Sequence, residues 1–235
     1  QCLFEGDFAL DRAFGGGRSN SLGHLLADRY PSLKWQLSDV WGYCDGIEPI
    51  VVIPVTRQVY FKDRTVDTVA GVITVRGESG KTKLQYLPNV KAGDFPGPVY
   101  PASMVARQRS QSEWAAGREN QDRNGFGYEP ATSEVQAGNV SEYLLRNAAT
   151  GRLEWVTPLT LRNSSSELFV AYAITPADEV KSGELNQLSI YVLAKNDSRR
   201  VNIDNLEADA RNFFANNAGT FISNGGKLVE FTPIN

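Results

Sequence analysis

Residues 183–203 read GELNQLSIYVLAKNDSRRVNI. Between Leu185 and Leu193 apolar and polar residues alternate. Leu188, Ile190 and Val192 fall on one face and Ser189, Tyr191 and Leu193 on the other, which is the period of a strand. The polar run from Lys195 to Arg200 ends it. Taken alone this describes any half-buried strand, so its weight depends on whether the same rhythm recurs upstream.

It does. Residues 47–61 (IEPIVVIPVTRQVYF) are β-branched and aromatic with two prolines, and residues 66–75 (VDTVAGVITV) repeat Val and Ile at strand spacing before Arg76-Gly77. The polar turn Lys62-Asp63-Arg64 joins them. Residues 81–87 (KTKLQYL) continue with Leu84 and Tyr86 on one side, and Pro88-Asn89 closes the run. Further strands are expected at 141–146, 152–161 (RLEWVTPLTL), 167–174 (ELFVAYAI) and 185–194, each bounded by Asn, Gly, Pro or Ser clusters. Short strands in that rhythm belong to sandwiches and jelly rolls. Between the two sets, residues 91–101 are loop-like, and residues 107–128 form a polar, charged, glycine-bearing excursion of a kind that is normally functional or mobile.

Two helices stand out. Residues 20–29 carry Leu22, Leu25 and Leu26 at i, i+3 and i+4 behind an Asn20 or Ser19 cap, and Tyr30-Pro31 stops them. Residues 205–216 (NLEADARNFFAN) have an Asn cap, acidic residues in the first turn and Gly219 just beyond. The tail 220–231 is expected to add one more strand.

A chain of 235 residues with 41% hydrophobic content can bury a full core as one large domain. Its net charge is -3, with Lys and Arg scattered among Asp and Glu, which argues against a purely electrostatic partner such as nucleic acid or an anionic membrane. The longest apolar run, IVVIPV at residues 50–55, is far short of the roughly 18 residues of a spanning helix. Gln1 reads as a processed end or the first ordered residue, as in a secreted protein or a polyprotein product.

Cys2 and Cys44 leave two readings open. A bridge would close a loop of roughly forty residues, add about 3 to 4 kcal/mol on the loop-entropy model and imply secretion. Two unpaired thiols in a reducing cytosol is the other reading, since the spacing matches no metal or redox motif. The triplets beginning at Asn139, Asn163 and Asn196 fit the N-glycosylation pattern but arise readily by chance in a chain this rich in Asn and Ser.

Little in the residues points to catalysis. His24 is the only histidine and sits in a helix beside Leu25 and Leu26, which excludes multi-histidine metal sites. Gly15-Gly16-Gly17 before a helix start resembles a phosphate loop, yet no Gly-Lys-Ser/Thr follows, and it reads as a linker. Glu5, Asp7 and Asp11 lack regular calcium-ligand spacing. The expectation is therefore no catalytic, cofactor or metal residue, and no enzyme. Trp35, Trp41 and Tyr43 cluster after the first helix and Trp114 stands in the polar excursion. Such aromatics serve either as a sugar-stacking platform or as core and interface anchors, and the second use is favoured.

Four segments together resemble the coat proteins of picorna-like positive-strand RNA viruses. SNSLGHLLADRYP (19–31) is similar to a short leucine-bearing helix found early in those subunits, and GVITVRGESGKTKLQY (71–86) to a mid-sandwich strand leading through an Arg-Gly turn to the next strand. GRLEWVTPLTLRNSS (151–165) resembles a strand running into a proline and a polar turn, and residues 183–203 stand where the last core strand would. Val75 replaces the tryptophan usual before the Arg-Gly turn, Asn196 to Arg200 replaces an acidic-aromatic ending, and the tail is longer. These departures fit a plant, insect or algal virus better than an animal picornavirus.

The resemblance implies an all-β, eight-stranded jelly-roll sandwich with one or two short helices, flanked by an N-terminal arm (1–18) and a C-terminal helix and extension (205–235). It further implies a capsid subunit of an icosahedral virion, assembled in the host cytoplasm with copies of itself and sister subunits. Contact with genomic RNA would be weak and non-specific; a host receptor is possible, and no membrane is involved. The rival reading is a secreted β-sandwich carbohydrate-binding or adhesion domain stapled by Cys2 and Cys44. A β-sandwich hydrolase would need convergent carboxylates in a cleft.

Overall fold

Long β-branched runs leave the backbone few alternatives to the extended state, and the chain folds accordingly. The computed structural model describes residues 21–46, 48–78, 81–111, 127–130, 142–162 and 168–224. They form two compact units, one from residues 21–107, 146–154 and 176–187, the other from 108–145, 155–175 and 188–224. The class is all-β: two five-stranded antiparallel sheets and a two-stranded ribbon.

The first unit opens with helix α1 (Leu22–Arg29). Its sheet runs in the order β1 (Leu33–Lys34), β3 (Glu48–Phe61), β4 (Arg64–Glu78), β5 (Lys81–Leu87), with β2 (Trp41–Asp45) also on β3. Val51, Ile53 and Val55, with Ile73, Val75, Leu84 and Tyr86, present one face to Leu22 and Leu26 of α1. This is why Leu84 and Tyr86 share a side, as their spacing predicts. Tyr86 also donates its hydroxyl to the Ala70 carbonyl at 2.6 Å.

The long hairpin bends where the β3–β4 register shifts between Val55 and Thr56, opposite Gly71. Gly71 has φ +131°, and a Cβ there would lie 2.2 Å from the Leu87 carbonyl oxygen, so the bulge requires glycine. The ribbon pairs β6 (Asn89–Val90) with β11 (Val180–Lys181).

In the second unit the sheet order is β12 (Ser189–Val192), β10 (Ala171–Pro176), β9 (Leu153–Leu161), β7 (Tyr128–Pro130), with β8 (Tyr143–Arg146) also on β9. Val156, Tyr172 and Leu193 gather Tyr143, Leu145 and Ile174 on one side. Leu159, Ala171 and Ala173 gather Tyr128, Leu188 and Ile190 in a second cluster. Burial pushes the Tyr143 phenol up to about 12. α2 (Ala102–Gln111), α3 (Ile203–Asn217) and α4 (Gly219–Ser223) complete the described elements.

Four expectations need correction. The start of the polar excursion is helical through Gln111, because Asp39 accepts the Ser103 amide at 3.2 Å and the Ser103 hydroxyl, capping α2 from a distant loop. Residues 220–223 are helix and not strand. The last strand is shorter than residues 185–194, and the strand expected from 167 is regular only from Ala171. The expected arm 1–18 lies outside the described residues.

Candidate functional site

Of the residues singled out by the sequence, Glu5, Asp7, Asp11, Gly15, Gly16, Gly17, Trp114, Asn139 and Asn163 lie outside the described residues. His24 is exposed on α1, and Asn196 is exposed after β12. Among the described residues no group of three or more His, Cys, Asp or Glu side chains could hold a metal ion. Cys44, exposed on β2, is disulfide-bonded, which settles the choice between bridge and free thiol at that position; Cys2 lies outside the described residues.

The aromatic group divides. Trp35 packs against the α1 cluster. Trp41 donates its indole N–H to the Pro98 carbonyl at 2.6 Å and lies over Gly97, where a Cβ would approach the ring to 2.8 Å. Its ring lies 5.6 Å from Tyr43, which meets Phe95 edge-on at 6.3 Å. Phe95 continues this aromatic row into a cleft.

That cleft, of about 210 Å³, belongs wholly to the first unit and is lined by Gly93, Phe95, Arg146, Gly151, Arg152 and Asp178, among others. Two turns shape it. In the first, Asp94 accepts the Lys91 amide at 2.8 Å and Gly93 takes φ +89°. In the second, the Asn147 side-chain oxygen accepts the Ala149 amide at 3.0 Å and the Thr150 amide at 3.3 Å, and Gly151 follows at φ +70°. Arg146 then donates Nη1 to the Gly151 carbonyl at 2.7 Å across that turn.

The third wall is pinned by backbone. The Ala177 amide donates to the Leu153 carbonyl at 2.8 Å, and the Ala177 carbonyl accepts both the Val99 amide at 2.7 Å and the Tyr100 amide at 3.0 Å. Asn186 Nδ2 donates to the Pro176 and Glu179 carbonyls at 2.8 and 2.9 Å. Asp178 is therefore held on a fixed support.

The carboxylate of Asp178 is fully engaged. Oδ1 accepts from Arg152 Nε at 2.9 Å and Nη2 at 2.7 Å, and Oδ2 accepts from Nε at 2.9 Å and the Leu153 amide at 3.1 Å. Burial alone would raise the Asp178 carboxyl, but the Arg152 hydrogen bonds, the Leu153 amide and the Arg152 charge outweigh it and hold the pKa below the ordinary value. Glu179 reaches Arg152 Nη2 at 3.0 Å as well. Arg152 is correspondingly raised, first by its Asp178 hydrogen bond.

Donors are open in the cleft: Arg146 Nε and Nη2 and Arg152 Nη1 make no hydrogen bond among the described residues, whereas each Asp178 oxygen already accepts two. Such a lining is suited to receive an oxyanion and not to hold a cation.

A second arginine–carboxylate group lies in the second unit. Arg109, 7% exposed, donates Nη1 to Glu142 and to the Thr157 hydroxyl at 2.8 Å, and that hydroxyl donates to Glu142 at 3.0 Å. Each group satisfies the next, so this network is architecture. Sequence reasoning missed Phe95, Arg146, Arg152 and Asp178, because a cleft built from three separated loops has no local motif. The turn-forming Gly93 and Asn147 to Gly151 were the only traces. Comparison of the chain with protein-family models, with curated proteins and with solved structures gives no match.

Proposed function

We propose that the chain is a structural subunit of an icosahedral, picorna-like virus shell, acting by assembly with copies of itself and sister subunits and not by catalysis. The observation that carries this reading is the apolar surface of the second unit. Tyr191 and Val192, 58% and 62% exposed, sit on β12, the outer strand of its sheet among the described residues. Phe213, 62% exposed, sits on α3, whose residues 211–217 are exposed on every side. Apolar side chains on a sheet edge and on an uncovered helix are what a subunit contact covers. The finer architecture, a jelly roll, belongs to this same reading, with twelve described strands where eight were expected. Its support is that the four resembling segments supply α1, the β4–β5 hairpin, β9 and β12 in that order.

On this reading the protein resides in the virion after assembly in the host cytoplasm and touches the genome weakly. Electron microscopy and light scattering on native source material test it. Closed shells of uniform diameter containing this chain are expected; a monodisperse monomer or dimer from the same material overturns it. A steep fall of RNA binding with salt would contradict the weak genome contact.

One observation favours a second reading, a secreted carbohydrate-binding or adhesion domain. The disulfide at Cys44 requires an oxidising environment, which secretion supplies, as does a virion surface. Mass spectrometry under non-reducing conditions on protein taken from shells, if shells form, separates the two: an intact bridge there removes the argument for secretion.

A further inference from the structure

We infer that the cleft walled by Phe95, Arg146 and Arg152 binds a single sugar ring bearing a carboxylate. The inference rests on the cleft's geometry and not on the assembly reading. Its volume of about 210 Å³ is below that of sites for drug-sized ligands, which begin at roughly 300 Å³, so it has room for one ring.

The polarity of the lining selects the ligand's charge. Each Asp178 oxygen already accepts two hydrogen bonds, and the Gly151 carbonyl accepts Arg146. A neutral polyol offers nothing to compensate the Arg146 charge, whereas a carboxylate on the same ring does. The free N–H groups of Arg146 and Arg152 offer donors for an acceptor-only group. Arg152 is already offset by Asp178 and Glu179, so the charge that attracts the ligand is that of Arg146, whose partner among the described residues is a carbonyl.

Phe95 supplies the other half of the recognition. It is half-buried on the cleft wall and braced edge-on by Tyr43, which is in turn stacked near Trp41. A ring held by its neighbours loses little entropy when a sugar's C–H face lies on it. One charge-assisted pair and one ring face correspond to a dissociation constant of about a millimolar.

Calorimetry and saturation-transfer NMR on the full chain with sodium glucuronate, glucose and sodium acetate provide the test. Glucuronate is expected to bind at least about tenfold more tightly than either glucose or acetate. Arg146→Gln is expected to weaken glucuronate by about tenfold or more with an unchanged thermal melt, since Arg146 is exposed. Phe95→Leu, which keeps the wall apolar but removes the ring, is expected to weaken glucuronate and leave acetate as it was. Glucose binding as well as glucuronate, acetate binding as well as glucuronate, an unaffected Arg146→Gln variant, or no glucuronate binding at about a hundredfold above a millimolar would each overturn the assignment. Should Arg146→Gln fail to fold, Arg146→Lys and Phe95→Leu carry the same comparison.

Discussion

Four consecutive residues of β3, Val52, Ile53, Pro54 and Val55, are buried in the first unit, and so are their partners on β4, Thr74, Ile73, Val72 and Gly71. In the second unit, neighbours Tyr191 and Val192 on β12 are both exposed although they point to opposite faces. Of the large exposed apolar residues among those described, Leu37, Tyr60 and Leu185 belong to the first unit and seven to the second, where the proposed contacts would form. The first sheet buries the centres of its long strands and exposes Tyr60 only near the end of β3, whereas the second exposes both faces of β12.

That contrast can be broken most severely at Gly71. In Gly71→Val the new side chain meets the Leu87 backbone at a φ that valine does not adopt, and no folded protein is expected. Soluble yield and circular dichroism report it, and a variant that melts like the parent refutes the requirement for glycine at the bulge.

The two arginine groups give the next contrast. Arg109→Ala strands a buried carboxylate and is expected to cost about 3 to 5 kcal/mol in denaturant unfolding. Arg152→Ala also strands a buried carboxylate, Asp178, 6% exposed, but leaves it the Leu153 amide and is expected to cost about 2 to 3 kcal/mol. Equal losses at the two positions would mean that the cleft pair is as structural as the buried one.

Acidification sharpens the same point. The Asp178 carboxyl has a folded pKa below its ordinary 3.8, so it stabilises the fold above that value and the contribution is lost as pH falls through the folded pKa. The parent is expected to lose stability below 3.8 more steeply than Asp178→Asn, read as melting temperature against pH.

The smallest effect on stability is expected at the outer strand. Val192→Ser should change unfolding by no more than about 0.5 kcal/mol while reducing shell formation in light scattering. A variant that assembles like the parent would remove β12 from the contact surface.

Legibility in the sequence followed how locally each feature is encoded. The β3–β4–β5 hairpins were readable because dense Val and Ile leave no helical option, and α1 because its leucine spacing is a local signal; the expected caps were not, since Ser21 stands at the α1 N-cap without a side-chain hydrogen bond and α3 starts at Ile203, with Asn202 Oδ1 accepting the Asn205 amide at 3.3 Å. α2 was not, since its start is capped by Asp39, 64 positions away. The last strand is regular only from Ser189 to Val192, and its exposure does not follow the expected alternation, since Tyr191 and Val192 are both exposed. The cleft was illegible for a related reason: Arg152 and Asp178 are 26 positions apart, and nothing in either segment announces the other.

The division of the chain also governs how it can be cut. Residues 146–154 and 176–187 complete the first unit although the second unit's residues separate them, so the polypeptide passes from one unit to the other five times. A fragment ending at residue 107 would lack the Ala177 carbonyl that holds Val99 and Tyr100, and with it the Asp178 wall. Neither unit can therefore be inherited, transplanted or lost by a single genetic break, which ties the cleft and the outer strand β12 to a common evolutionary fate.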